Sequence, residues 1–415
     1  MPIIPVGGAR YPIAWDAMTA TRPATSHGTR LLGGGALVNL ALGSLFAWSL
    51  FVEPLADEFG NSAAAISSVF SVSVVIFAAI VLAGGSIADR HPPRRIVVAS
   101  AVIAMLGLLL AARAPSLLWV IAGYGVLFGI ANGLGYATAV AVAGKGFGDR
   151  RGFALGVVVG AYAAGPLVAS PAISFLLARV GWRGALVALA AGIGVLLLVG
   201  AFLLGAGIGG GGDSDADGDA AADGRPILLQ PSGAVLWLAF MLGTLPAMLV
   251  VAHAASIAST GGLNAAAVSA AVAILAAGNL AGRAGGGWLS DRLGRLPGLR
   301  AATAGLALSL VTVSMLTATV PMLVLMALVG IGYGTQSSLV PALTADLFGT
   351  ANFGANYGRV FTGWGVAGVA GPQLGAQLSA RTGDFDLALW LAAVCALAAF
   401  VLHLLLGRID GVAND

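Results

Sequence analysis

Charged residues are scarce in this chain of 415 residues, of which only 9% are Asp, Glu, Lys or Arg and 59% are hydrophobic. Soluble globular proteins carry about 25% charged residues, so the composition excludes that class and indicates a polytopic membrane protein. A single cysteine, Cys395, excludes an internal disulfide. The four histidines form no cluster, so we expect no enzyme activity, no metal site and no cofactor. The basic residues are not gathered into a patch, which argues against nucleic acid as a partner.

Long hydrophobic runs dominate the chain instead, and twelve of them reach the ~20 residues that a helix needs to cross a bilayer. They lie at 31–55, 62–88, 96–113, 117–144, 152–179, 183–207, 233–259, 264–290, 299–318, 320–345, 356–380 and 386–407. The runs form two sets of six, and the 62 glycines allow the close helix packing common in membranes. The sequence therefore predicts an all-α membrane protein with twelve transmembrane helices in two six-helix halves.

The predicted boundaries give two bundles, a linker and two tails. The bundles cover 30–207 and 231–408, the tails cover 1–29 and 409–415, and the acidic linker covers 208–230. The linker combines a run of glycines with five aspartates and cannot bury enough apolar surface to order itself, so we expect it to be flexible.

The basic residues predict the orientation in the membrane. If both termini are cytoplasmic, fifteen of the twenty basic residues lie on the inner side and four on the outer side, namely Arg113, Arg179, Arg183 and Arg381. The positive-inside rule favours this arrangement. We therefore expect a multi-pass, monomeric protein of a bacterial cytoplasmic (inner) membrane, with the lipid bilayer as its surroundings.

The remaining basic residue, Arg283, lies within the eighth apolar run. At ~1.5 Å rise per residue it is ~12 Å from Asp291 at the end of that run, which is well inside a ~30 Å hydrocarbon core. No Asp or Glu lies deep in an apolar run to pair with it, so its simplest partner is an anion that arrives and leaves. Asn279 precedes it by four residues and shares its helix face, where it adds a donor and an acceptor. The guanidinium fork suits a carboxylate.

A charged motif occurs twice, once in each half. Gly85-Ser86-Ile87-Ala88-Asp89-Arg90 follows the second run, and Gly287-Trp288-Leu289-Ser290-Asp291-Arg292 follows the eighth, 202 residues later. Asp at a helix end and Arg beyond it can bridge neighbouring helix termini and complement their dipoles. The repeated motif resembles the signature of the major facilitator superfamily, with Pro92-Pro93 departing from it in the first copy. The resemblance implies two helical halves related by a pseudo-two-fold axis that rock about a central cavity. It also implies that Asp89, Arg90, Asp291 and Arg292 gate this motion.

Further matches between the halves suggest a different offset. Gly152 matches Gly358, and Gly165-Pro166 matches Gly371-Pro372, each 206 residues apart. The sequence alone therefore predicts a short insertion in the second half before the eleventh run.

A narrower resemblance rests on three stretches, 43–55, 334–349 and 352–358. They are similar to the first, tenth and eleventh helices of the oxalate/formate antiporter family, which includes lactate transporters similar to animal monocarboxylate transporters. This resemblance implies that His253, Tyr136 and Tyr333 line the substrate site. Phe46 stands where many relatives have Tyr, which favours a smaller or more apolar ligand.

An absence distinguishes among the substrates of this family. Its oxalate-exchanging members use a lysine in helix 11 as a second cation, and here Trp364 takes that position. One buried positive charge suits one carboxylate, because a dianion would leave a charge unpaired in a low dielectric. We expect Trp364 and Phe46 to limit the size of the substrate.

These observations predict a secondary transporter that moves a small monocarboxylate of the lactate, pyruvate or formate type by alternating access. Whether a proton accompanies it stays open, since Asn279 cannot titrate where related transporters have Asp. We expect Asp89 and Asp291 to hold the outward-open state. An oxalate/formate exchanger is the main alternative. A drug-efflux transporter and a non-transporting nutrient sensor are further alternatives.

Overall fold

The structure, a computed structural model, describes residues 26–205, 226–313, 315 and 319–409. Most of the two predicted tails and of the linker predicted at 208–230 lies outside the described residues, so those boundaries stay predictions. All regular structure in the described part is helical.

The N-terminal half is built from seven α-helices, a 3-10 segment, a π-helical segment and a short 3-10 turn. They are α1 (Ser26–Gly43), the 3-10 segment (Ser44–Phe51), α2 (Val52–Phe59), α3 (Ala63–Arg90), α4 (Pro93–Ala112), α5 (Leu117–Val120), the π-helical segment (Ile121–Phe128), α6 (Gly129–Gly146), the 3-10 turn (Gly148–Arg150) and α7 (Arg151–Leu204). The first membrane span thus runs from α1 through the 3-10 segment into α2. Pro54, early in α2, has no N–H to donate to the carbonyl four residues before it, so the regular helical ladder is interrupted there.

Helix α7 contains the fifth and sixth predicted spans. Its chain direction changes at Gly181, whose φ of 67° and ψ of 179° are not helical. A side chain would be strained in that conformation, which glycine adopts readily. The break falls between the two spans predicted at 152–179 and 183–207.

The C-terminal half contains the other six spans. They are α8 (Pro231–Thr260), α9 (Ala265–Leu293), α10 (Arg295–Val313), α11 (Thr319–Phe348), α12 (Phe353–Thr382) and α13 (Asp386–Ile409). Ten helical stretches of the described chain are long and apolar enough to cross a membrane; one of them, Gly148–Leu204, is divided by Gly181. Helix α12 falls outside these ten but is 30 residues long and packs against α3 and α8. The predicted twelve-helix fold in two halves is confirmed.

Glycines allow the closest contacts between helices. A Cβ added at Gly278 or Gly282 of α9 would lie 2.4 or 2.2 Å from a carbonyl oxygen of α11. A Cβ at Gly334 of α11 would lie 2.0 Å from the carbonyl oxygen of Asn279. Small residues permit this approach of two backbones. The tight α9–α11 contact fixes the position of Asn279 and Arg283 within the half.

Candidate functional site

A cavity of about 270 Å³ lies between the two halves. Six of the seven predicted binding residues line it, namely Phe46, Tyr136, Asn279, Arg283, Tyr333 and Trp364. They come from the 3-10 segment and α6 on one side and from α9, α11 and α12 on the other. The fold therefore brings together residues that are as far as 318 positions apart in the sequence.

Arg283 is buried, with 7% of its surface exposed, and it is the one charged residue among the described residues of the lining. Its Nε donates to Oδ1 of Asn279 at 3.0 Å, and its Nη1 donates to the carbonyl oxygen of Val159 at 3.0 Å. Its Cζ lies 5.4 Å from the ring centre of Tyr333. In the described chain no Asp or Glu oxygen lies within 4.0 Å of it. Two neutral oxygens therefore accept from two of its five N–H groups, and the charge itself is uncompensated.

The bond to Val159 joins the two halves, because Val159 belongs to α7 and Arg283 to α9. Gly156, one turn before Val159, permits the approach: a Cβ there would lie 2.5 Å from the carbonyl oxygen of Arg283. The guanidinium is thus attached to a main-chain oxygen of the opposite half.

Most hydroxyl groups of the cavity already have protein partners. The hydroxyls of Tyr136 and Tyr357 lie 3.3 Å apart, and the hydroxyl of Tyr162 donates to Oδ1 of Asn132. The hydroxyl of Tyr333 accepts from Nε1 of Trp364 at 3.0 Å, which leaves its own hydrogen available to a ligand.

His253 does not line the cavity, which corrects the expectation drawn from the family resemblance. Its Nε2 lies 2.9 Å from the carbonyl oxygen of Pro372, and its ring packs against Phe385. On the same helix Met248 and Val251 do line the cavity. Two residues beyond Val251, His253 is turned ~200° around the helix axis, so it faces away from the cavity.

Thirteen of the nineteen lining residues within the described chain were not predicted, among them Phe77, Tyr162, Ser337, Tyr357 and Phe361. Phe77 is the centre of an aromatic cluster, with ring centres 5.3 to 5.8 Å from Tyr136, Tyr162, Phe361 and Trp364. The contacts with Phe361 and Trp364 cross from α3 to α12 and so connect the halves. The sequence gives a signal for Ser337 and Tyr357, which lie in the stretches 334–349 and 352–358 quoted above. Phe77, Tyr162 and Phe361 are ordinary aromatic positions in apolar runs.

The two motif aspartates close one end of the molecule. Asp89 of the first half accepts from the backbone N–H groups of Gly354 and Ala355 at 2.9 and 2.8 Å, at the start of α12. Asp291 of the second half accepts from those of Gly152 and Phe153 at 2.8 and 2.7 Å, at the start of α7. Each carboxylate therefore caps a helix N-terminus of the opposite half, where unpaired N–H groups and the helix dipole favour an anion.

Ion pairs reinforce this end, but the motif arginines do not supply them. Nζ of Lys145 lies 2.6 Å from Oδ1 of Asp89, and Nη1 of Arg295 lies 2.5 Å from Oδ1 of Asp291. Asp346 pairs with both Arg151 and Arg295, which again links the halves.

The motif arginines lie apart from these bridges. Arg90 is exposed and makes no ion pair within the described residues, and Arg292 stacks on Trp288, with 3.7 Å from its Cζ to the ring centre. This corrects the expectation that the motif arginines bridge helix termini.

Glycine pairs bring the backbones together at the same end. A Cβ at Gly85 would lie 1.9 Å from the carbonyl oxygen of Gly354, and a Cβ at Gly287 would lie 2.2 Å from that of Gly152. These two contacts are related by an offset of 202 residues, as are the two aspartate caps. Gly152 thus corresponds to Gly354, and the offset of 206 predicted between Gly152 and Gly358 is wrong at this end.

Comparison with known proteins adds to this geometry. A family model described as Major Facilitator Superfamily matches residues 32–298 and 234–413. The oxalate:formate antiporter of Oxalobacter formigenes is 27% identical over 92% of this chain and 93% of that protein. Monocarboxylate transporter 11 of Mus musculus is 29% identical over 85% of this chain and 80% of that protein. The solved structure of the transporter FucP in the outward conformation matches with a TM-score of 0.69 at 17% identity, covering 91% of this chain and 98% of that one.

Proposed function

Because this chain belongs to the major facilitator superfamily, we propose that it is a secondary transporter that moves a small monocarboxylate of the lactate, pyruvate or formate type across the membrane by alternating access. The observation that carries the proposal is Arg283, a buried cation in a cavity between the halves with no carboxylate partner in the described chain. Two relatives of this chain are named an oxalate:formate antiporter and a monocarboxylate transporter, and both names agree with an anionic substrate.

Charge favours one carboxylate over two. A monocarboxylate bound to Arg283 neutralises the one cation of the described lining, whereas a dianion would keep a negative charge among aromatic side chains. The Trp364 indole, at the position where oxalate-exchanging relatives have lysine, donates its N–H to Tyr333 and offers no second charge. An oxalate/formate exchanger remains the main alternative, and competition by oxalate at a lower concentration than lactate would favour it.

The closed end supports an outward-open state. If both termini are cytoplasmic, as the distribution of basic residues predicts, the end closed by Asp89 and Asp291 is the cytoplasmic one. Val251 and Val272 also line the cavity, are 45% and 42% exposed, and lie in the halves of α8 and α9 farther from this closed end, so we infer that the cavity opens to the outside. Binding of the carboxylate would compete with Val159 for Arg283 and so weaken one link between the halves.

Uptake into proteoliposomes tests this proposal. We expect the wild type to take up radiolabelled lactate, pyruvate or formate and Arg283→Lys to lose at least ~10-fold in uptake, because an ammonium cannot make the planar two-point contact of a guanidinium. Arg94→Lys, at an exposed position away from the cavity, is the matched control and should keep wild-type uptake.

Equal uptake by Arg283→Lys and the wild type would contradict the role of the guanidinium. Efflux of lipophilic cations with no uptake of any acid would instead favour a drug transporter. Accumulation driven by a pH gradient alone would show that a proton is coupled; its absence would favour exchange or uniport.

A further inference from the structure

The non-aromatic polar side chains of the cavity are confined to one region of its wall. Apart from tyrosines, the polar residues of the described lining are Arg283, Asn279 and Ser337, on α9 and α11. The free hydrogen of the Tyr333 hydroxyl lies in the same region, since its ring is beside the guanidinium. This region is sufficient to hold a carboxylate group.

The wall beyond this region is apolar over a long distance. Along α9 the lining residues Asn279, Ala276, Leu275 and Val272 follow Arg283 toward the open end on one helix face. Leu275 is eight residues from Arg283, or ~12 Å along the axis. A three-carbon acid bound at Arg283 would extend along about one turn of α9. It would therefore leave the apolar surface at Leu275 and Val272 in contact with water.

Aromatic rings surround the same space. Nine of the nineteen lining residues within the described chain are aromatic, and one of them, Phe46, packs edge-on against Phe70 and Tyr162 and is still 37% exposed. The Tyr162 hydroxyl and the Trp364 N–H donate to protein groups, and one of the hydroxyls of Tyr136 and Tyr357 donates to the other, so only the accepting hydroxyl of that pair keeps a free hydrogen. A polar substituent on the substrate would thus find few partners here, whereas an apolar one would cover the exposed ring.

Resting on the proposed function, we infer that the preferred substrate is a monocarboxylate with an aromatic or similarly bulky apolar tail, held by its carboxylate at Arg283 and by its tail against Phe46. Lactate, pyruvate and formate then occupy only the carboxylate end of the site. Phe46 is a specificity-determining residue of this inference, rather than a residue that limits the size of the substrate.

Binding to the full-length protein in lipid nanodiscs tests the inference with matched ligands. The pair is 3-phenylpropanoate and propanoate, which share the carboxylate and differ by the ring; lactate is a third ligand and the uncharged 3-phenylpropanol a fourth. We expect 3-phenylpropanoate to bind at least ~10-fold more tightly than propanoate or lactate, and 3-phenylpropanol to bind weakly. In Phe46→Ala the ratio of the two affinities should fall at least ~3-fold, and in Phe46→Leu by less.

The outcomes separate this inference from the proposed function. Equal or weaker binding of 3-phenylpropanoate than of propanoate in the wild type, with both lost in Arg283→Gln, would overturn the inference and leave a carboxylate transporter. Tight binding of 3-phenylpropanol, or of 3-phenylpropanoate to Arg283→Gln, would overturn the carboxylate function as well. Absence of binding by all four ligands to the wild type would overturn both. The wild-type ratio decides the inference even if a variant fails to fold.

Discussion

Replacing Gly85 by alanine should open the end of the molecule that Asp89 and Asp291 close. The added Cβ would lie 1.9 Å from the carbonyl oxygen of Gly354, whereas ordinary contacts begin at 3.4 Å, so α3 and α12 must separate by ~1.5 Å. The bonds from Asp89 to the N–H groups of Gly354 and Ala355, now 2.9 and 2.8 Å, would then exceed hydrogen-bonding distance.

The size of the effect follows from these two bonds. A hydrogen bond to a charged group contributes about 1.5–3 kcal/mol, so losing both costs the closed state about 3–6 kcal/mol. A change of about 5.5 kcal/mol converts a 99:1 ratio of two states into 1:99. Gly85→Ala should therefore shift most molecules away from the closed state, and Gly287→Ala, at the corresponding contact with Gly152, should act in the same direction.

Distances between spin labels measure this shift. In a Cys395→Ser background, labels at Ile87 of α3 and Asn352 before α12 report the separation of the two halves at this end. We expect a longer distance in Gly85→Ala than in the wild type. The matched control is Gly84→Ala, whose Cβ meets its nearest neighbour, Leu134, at an ordinary 3.5 Å. If Gly85→Ala and Gly84→Ala gave the same distances, the glycine contact would not hold this end closed.

Two further predictions concern the C-terminal half. Gly282→Ala should lower the melting temperature of the purified protein by several degrees, because its Cβ would lie 2.2 Å from the carbonyl oxygen of Ile331 and overpacking costs about 1–3 kcal/mol. Gly285→Ala, with open space around its Cβ, should melt near the wild-type temperature; equal melting of both variants would contradict the packing argument. Tyr333→Phe keeps the ring beside Arg283 and removes the hydroxyl, so the KM for the transported acid should rise ~5–10-fold. An unchanged KM would show that the hydroxyl does not bind the carboxylate.

The architecture was predictable from sequence because hydrophobic length alone identifies a spanning helix. The break at Gly181 falls between the two apolar runs predicted at 152–179 and 183–207. The winding within spans was not predictable: the 3-10 segment Ser44–Phe51 and the π-helical segment Ile121–Phe128 are apolar like their neighbours. Which backbone groups pair there depends on tertiary contacts, such as the donation of the Ser73 hydroxyl to the carbonyl oxygens of Tyr124 and Gly125.

The residues at the centre of the candidate site could be predicted from the sequence, because the pattern that identifies them lies within one short segment. Arg283 is conspicuous in an apolar run, and the spacing of four places Asn279 beside it, where the two side chains form a hydrogen bond. The contact with Val159 could not be predicted, because its acceptor is a main-chain oxygen 124 residues away. His253 was misplaced because a family resemblance transfers a residue type without fixing which helix face it occupies. The aromatic residues around Phe77 converge only in three dimensions.

At the closed end, the carboxylates of Asp89 and Asp291 accept hydrogen bonds from peptide N–H groups. Every amino acid except proline supplies such a group, so replacing Gly354, Ala355 or their counterparts by any residue other than proline leaves the donor in place. A natural or engineered change in the stability of this closed end must therefore come from the two carboxylates, from their cationic neighbours or from the packing of the facing glycines. Substitutions at those few positions would change the stability of the closed end without changing any residue that lines the cavity.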